Sequence, residues 1–127
     1  MSDELPMGEP ILRVVPGPGD INANGNIFGG WVLSQMDIAG GIVANQAAEG
    51  PVATVAIESM AFIAPVNLHD VVSVYAKVER RGRTSLGIRI EVFASRRRGQ
   101  QRVRVTEGLF TFVAIDEDGR TRPLPPA

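Results

Sequence analysis

The sequence predicts an α+β domain in which a curled antiparallel sheet wraps one long helix, and three observations carry that prediction. A proline-free run from Trp31 to Glu49 is apolar almost all the way round and is closed by Gly50-Pro51. Four later stretches, Val52 to Ile63, Val71 to Arg80, Thr84 to Ser95 and Val103 to Ile115, are rich in Val, Ile and Phe and carry the alternation of strands. A chain of 127 residues with 44% hydrophobic residues holds one ordinary core and not two, so helix and strands must share it.

Taken in order, Ile11 to Val15 is a short apolar segment near prolines and reads as a first strand. Pro16-Gly17-Pro18-Gly19-Asp20 then opens a breaker-rich loop that runs to Gly30. In the helix, Trp31, Val32, Leu33, Met36, Ile38, Ala39, Ile42, Val43 and Ala44 occupy most faces, which predicts burial on all sides. The cleanest strand signal sets Leu86, Ile88, Ile90 and Val92 against Ser85, Gly87, Arg89 and Glu91. Pro65 to Asp70, Arg81-Gly82-Arg83 and Arg96 to Arg102 fit hairpin connections. No internal repeat or linker divides the chain, so residues 1–127 read as a single domain, with 1–9 and 119–127 expected as flexible tails.

Composition removes several chemistries. Without cysteine there is no disulfide framework, thiolate nucleophile or Cys-based metal site, and the single histidine, His69, rules out His-rich metal motifs. We therefore expect no metal site, and catalysis resting on carboxylates, amides or hydroxyls. The opening Met1 to Pro6 is acidic, without the basic start and apolar run of a signal peptide, which makes a cytoplasmic location the expectation. No stretch approaches the roughly 18 apolar residues of a membrane span. G-x-S-x-G, Walker-type and G-x-G-x-x-G sequences do not occur.

Charge is uneven although the net formal charge is -1: residues 1–60 hold seven acids and one base, residues 61–127 seven acids and twelve bases. That asymmetry points to an anionic partner of the second half. Arg80-Arg81-Gly82-Arg83 and Arg96-Arg97-Arg98, with the hydroxyls of Thr84 and Ser85, suit a phosphate-bearing ligand, or else form a solvated basic surface. Nucleic acid is disfavoured, since Trp31 and Tyr75 give the basic residues little aromatic interleaving.

Asp37 is the most informative residue, a carboxylate in the middle of an otherwise apolar helix. Ser34, Gly40, Gly41 and Ala44 share its stripe, and two adjacent helical glycines cost roughly 1 kcal/mol each, as expected where a ligand or another backbone approaches closely. Asp37 either serves chemistry or hydrogen-bonds a neighbouring chain at a packing contact. Gly29-Gly30 precede the helix, so unpaired N–H groups and the positive end of its dipole suit an oxyanion there, or the glycines only permit a tight turn. Of the amides upstream, Asn26 alone is near enough to help such a site.

The segment Asn24-Gly25-Asn26-Ile27-Phe28-Gly29-Gly30-Trp31, continuing through Ser34-Gln35-Met36-Asp37-Ile38-Ala39-Gly40, resembles the signature of the hotdog-fold acyl-CoA thioesterases, in particular the YciA-type subgroup. Glu58 to Val66, Arg81 to Ser85 and Thr106 to Phe110 resemble the same family in the same order, covering about residues 20–117. The resemblance implies a hydrolase that splits acyl-CoA to free acid and CoA, in homodimers with sites between subunits, often as a trimer of dimers and so a hexamer. It makes Asp37 the acidic catalytic residue, Asn26 the amide before the Gly-Gly turn, and Gly30 the N–H donor to the thioester oxygen. Gly29, beside that donor, would contact the substrate, Arg81, Arg83, Thr84 and Ser85 match the segment that contacts CoA in relatives, and Phe62 with Met60 would wall the acyl pocket. His69 departs from the pattern, standing where glycine is expected before Asp70.

The implied mechanism polarises the carbonyl at the helix start, with Asn26 orienting it or the water, while Asp37 acts as general base or as nucleophile. No cofactor is expected, CoA being part of substrate and product, and neither nucleic acid nor membrane is expected as a partner. The alternatives are a non-catalytic acyl-CoA-binding hotdog domain, which Asp37 and Asn26 argue against, and a hydratase or dehydratase, which would need a histidine beside the carboxylate.

Overall fold

The structure is a computed structural model that describes residues 8–127, leaving residues 1–7 of the expected N-terminal tail outside. Strand β1 (Leu12–Val14) and a 3-10 turn at Pro18–Asp20 precede helix α1 (Gly29–Ala48). After it come β2 (Val52–Phe62), β3 (Val71–Arg81), β4 (Ser85–Arg96) and β5 (Gln101–Ala114). Helix and strands thus form where periodicity places them, with ends shifted by a few residues.

Helix α1 stops at Glu49, which takes the left-handed conformation at φ 55° in place of the neighbouring glycine. Gly50 serves differently: a Cβ there would lie 2.7 Å from the Arg122 guanidinium. That guanidinium donates to the Ala48 carbonyl (3.1 Å), an acceptor at the negative end of the helix, and to the Ile115 carbonyl (2.8 Å). Arg122 N–H also donates to Ala114 O and Leu124 N–H to Arg83 O, both at 2.9 Å, so residues 121–124 are docked on the sheet where the composition suggested a loose tail.

The five strands form one antiparallel sheet in the order β1-β3-β4-β5-β2. Two of the three expected hairpins exist, β3–β4 and β4–β5. The third does not. Pro65 to Asp70 joins β2 on one edge to β3 on the far side of β4 and β5, so it is a crossover loop, since alternation marks a strand without naming its neighbour. Among the described residues β2 pairs only with β5, and register shifts after Thr54 and after Glu58 give it two bulges that curl the sheet about the helix.

Val32, Met36, Ala39, Gly40, Ala44 and Ala48 turn the buried face of α1 into a core with Leu86, Ile88, Ile90, Phe110 and Phe112 of the sheet. Gly40 explains the closeness of that packing, because a Cβ there would sit 2.8 Å from Ile90 Cδ1 and 3.0 Å from the Phe112 ring. One glycine of the pair is therefore required by the chain's own sheet, not by a ligand. The expectation of burial on all sides fails within one chain: Ile38 and Ile42 are 51% and 42% exposed, and Asp37 is exposed with them. A five-stranded sheet covers one side of a helix, and Val55 and Ile57 of the unpaired β2 edge are also open.

Candidate active site

The loop before α1 is built by its own amides. Asn22 Oδ1 accepts from the N–H groups of Asn24 (2.9 Å) and Asn26 (3.1 Å), and the Asn22 N–H donates to Asn26 O (2.6 Å). Asn26 is thereby delivered to the rim of a cleft of about 310 Å³, lined also by Gly29, Val32, Phe62, Ile63 and Val66. Its side-chain N–H donates to Asn67 Oδ1 at 3.0 Å. Among the described residues no side chain caps the helix start at Phe28, and the first N–H groups of α1, those of Gly29 and Gly30, have no hydrogen-bond acceptor. Phe62 lies over Gly29, its ring 3.3 Å from where a Cβ would stand, so a larger residue there would have to push the ring aside. Gly30 has open space around it.

Asp37 lies in a second cleft of about 280 Å³, with Leu33, Ser34, Thr54, Ile57 and Phe110. Its Oδ1 accepts a 2.6 Å hydrogen bond from the Thr54 hydroxyl, which fixes the carboxylate against the start of β2. The sequence reading missed both Thr54 and Asn67: each becomes a partner only when strands distant in sequence meet, and a Thr in a strand or an Asn in a turn carries no signal of its own.

Arg81, Arg83, Thr84 and Ser85 lie at a third place, the β3–β4 hairpin. Arg81 donates to Pro125 O, and Gly82 N–H to Ser85 O (2.8 Å). The two arginine groups cannot grip one ligand within a chain, because β4 separates them by 11 steps, about 36 Å of extended strand. Much of the basic charge is also spent internally. Arg80 pairs with Glu58 (3.2 Å), Arg89 with Glu79 (2.7 Å), Arg104 with Glu91 (3.0 Å) and Arg96 with the buried Asp70 (3.0 Å). The Thr111 hydroxyl, then Arg80, hold the Glu58 carboxyl below its ordinary pKa, and Arg89 does the same for Glu79. Among the described residues Arg83, Arg97 and Arg98 form no ion pair, and no group of three or more His, Asp or Glu side chains is placed to hold a metal ion. None of the described helices is long and apolar enough to cross a membrane.

The family model of the thioesterase superfamily matches residues 24–100, from the Asn24 loop through β4. The chain belongs to the thioesterase superfamily. An acyl-CoA thioester hydrolase of the YciA type from Salmonella typhimurium is 50% identical over 126 residues, 97% of this chain and 95% of the relative. A hexameric thioesterase of Yersinia pestis superposes with a TM-score of 0.91 at 49% identity, covering 97% of this chain and 100% of that one. A hexameric hotdog fold thioesterase of Campylobacter jejuni does so at 0.87 and 40%, over 93% and 91%. The helix wrapped by five antiparallel strands is thus the hotdog fold, and in this thioesterase one chain brings Asn26, Gly29 and Phe62 together but leaves Asp37 in another cleft.

Proposed function

We propose that this thioesterase hydrolyses acyl-CoA to a free carboxylic acid and CoA, with Asp37 and Asn26 as its catalytic pair. The observation that carries the reading is the setting of Asp37: an exposed carboxylate in an apolar helix, lining a cleft and held there by the Thr54 hydroxyl at 2.6 Å. The relative from Salmonella typhimurium bears that activity in its name. Asp37 takes a proton from water, and the water oxygen attacks the thioester carbon. Negative charge gathers on the carbonyl oxygen, which the Gly30 N–H and the helix dipole stabilise while Asn26 orients the carbonyl. When the C–S bond breaks, the proton held by Asp37 passes to the CoA thiolate, so no cofactor is consumed. The competing route, attack by Asp37 itself to give a mixed anhydride, uses the same geometry.

Asn26 and Asp37 belong to one site only if it is shared. Seven helical residues separate Gly30 from Asp37, about 10 Å of rise, and the two groups open into different clefts. A second copy packed on the open side of α1, where Ile38 and Ile42 are exposed, and along the free β2 edge would bring Asp37 of one chain to the helix start of the other. The thioesterases of Yersinia pestis and Campylobacter jejuni are hexameric, and a trimer of such dimers would give this chain an assembly of the same size. Arg83, Thr84 and Ser85 then take the phosphates of CoA, and Phe62 walls the acyl chain.

A thiol-release assay over an acyl-CoA panel tests the reading. Asp37→Asn should lower kcat roughly 10²-fold or more with the fold intact. Near-normal turnover in that variant, or acyl-CoA binding without turnover in the native protein, overturns it.

A further inference from the structure

The Asn26 carboxamide is held from outside its own loop. Its N–H donates to Asn67 Oδ1 at 3.0 Å, and Asn67 sits in the Pro65–Asp70 crossover, which also ties to the same loop where Ile27 N–H donates to Val66 O at 2.9 Å. The crossover is itself fastened. Asn67 N–H donates to Asp70 Oδ2 (2.8 Å) and Asp70 N–H to Asn67 O (3.1 Å), a reciprocal turn. Asp70, 3% exposed, accepts from Arg96 Nε at 3.1 and 3.0 Å, and Arg96 Nη2 reaches Pro65 O at 2.6 Å. A buried carboxylate persists only when paired and hydrogen-bonded, and here every bond goes to the segment that carries Asn67 or to its anchor in β4.

An asparagine amide free to rotate presents N–H and C=O to the substrate almost equally. Here the Asn67 oxygen faces the Asn26 amide nitrogen, which leaves the Asn26 carbonyl oxygen and its second N–H for the cleft that Asn26 lines. We propose that Asn67 is a positioning residue that sets the Asn26 carboxamide for catalysis, with the Asp70–Arg96 pair holding the crossover that carries it. The inference rests on Asn26 acting in the reaction. Arg96, grouped by sequence with phosphate-binding arginines, has this structural task instead.

The test is a double-mutant cycle on kcat and KM for one acyl-CoA, with thermal melts to confirm folding. Asn67→Ala should lower kcat about tenfold or more while KM changes less than twofold, as expected when a group remains present but misplaced. Asn67→Asp, which keeps an acceptor oxygen, should exceed Asn67→Ala several-fold. In an Asn26→Ala background Asn67→Ala should lose nothing further, because its effect passes through the missing amide. Independent losses in the cycle, or a normal kcat in folded Asn67→Ala beside a crippled Asn26→Ala, overturn the inference alone. A normal kcat in Asn26→Ala overturns the role of Asn26 and the inference together.

Discussion

Mixing two severely impaired variants should restore activity if the site is shared between chains. The structure sets the distance: about 10 Å of helix rise lies between the Gly30 N–H and Asp37, and the Thr54 hydrogen bond draws the carboxylate toward β2. A water between a carboxylate and a carbonyl carbon spans about two contacts of roughly 3 Å each, less than that rise unless the Asp37 side chain leans back toward the helix start. Asn26→Ala and Asp37→Ala proteins, each severely impaired but measurable alone, are unfolded and refolded together in equal amounts and assayed by thiol release. Random pairing makes half of the dimers mixed, and each mixed dimer holds one intact site and one doubly damaged site. About a quarter of native activity should return. A mixture that gains nothing over the variants alone after mass spectrometry has confirmed exchanged subunits refutes the shared site.

Three further outcomes follow from the packing and the charges. Gly40→Ala should lose about 1 kcal/mol in thermal melts, since crowding against Ile90 and Phe112 costs roughly 1–3 kcal/mol and alanine's helix propensity returns about 1; an unchanged or raised Tm contradicts the close packing. His69 has φ 76°, in the left-handed region, so His69→Gly should gain about 0.5–1 kcal/mol with kcat unaltered, and a loss of stability would show that the histidine side chain makes a needed contact. Arg83→Ala should raise KM for acyl-CoA several-fold, more at low salt, and leave an acyl-pantetheine thioester unaffected; equal loss on both substrates assigns Arg83 a structural role.

What the sequence discloses here is whatever is local. The period of Leu86, Ile88, Ile90 and Val92 places β4, and the Asn24–Gly40 segment carries its family signature because its glycines and amides act within a few residues of one another. Pairing is different: β2 joins β5 and not β3, and nothing in an alternating pattern names the strand alongside. The exposure of Asp37 is hidden in the sequence for a related reason, since an apolar helix side reads the same whether its own sheet or a second copy covers it. Arg96 reads as one of three adjacent arginines until Asp70, 26 residues earlier, is brought against it.

The position of β2 also bears on how the chain is made. Among the described residues its only strand partner is the last strand, with Val52 opposite Ala114 about 60 residues later. At a synthesis rate of 5–20 residues per second, β2 waits roughly 3–12 s on the ribosome before its partner exists. The hairpins β3–β4 and β4–β5 can close early, whereas enclosing α1 requires a long-range closure. During that interval Val55 and Ile57 belong to an unprotected nascent strand, so the slowest and most aggregation-exposed step of folding falls on the same edge.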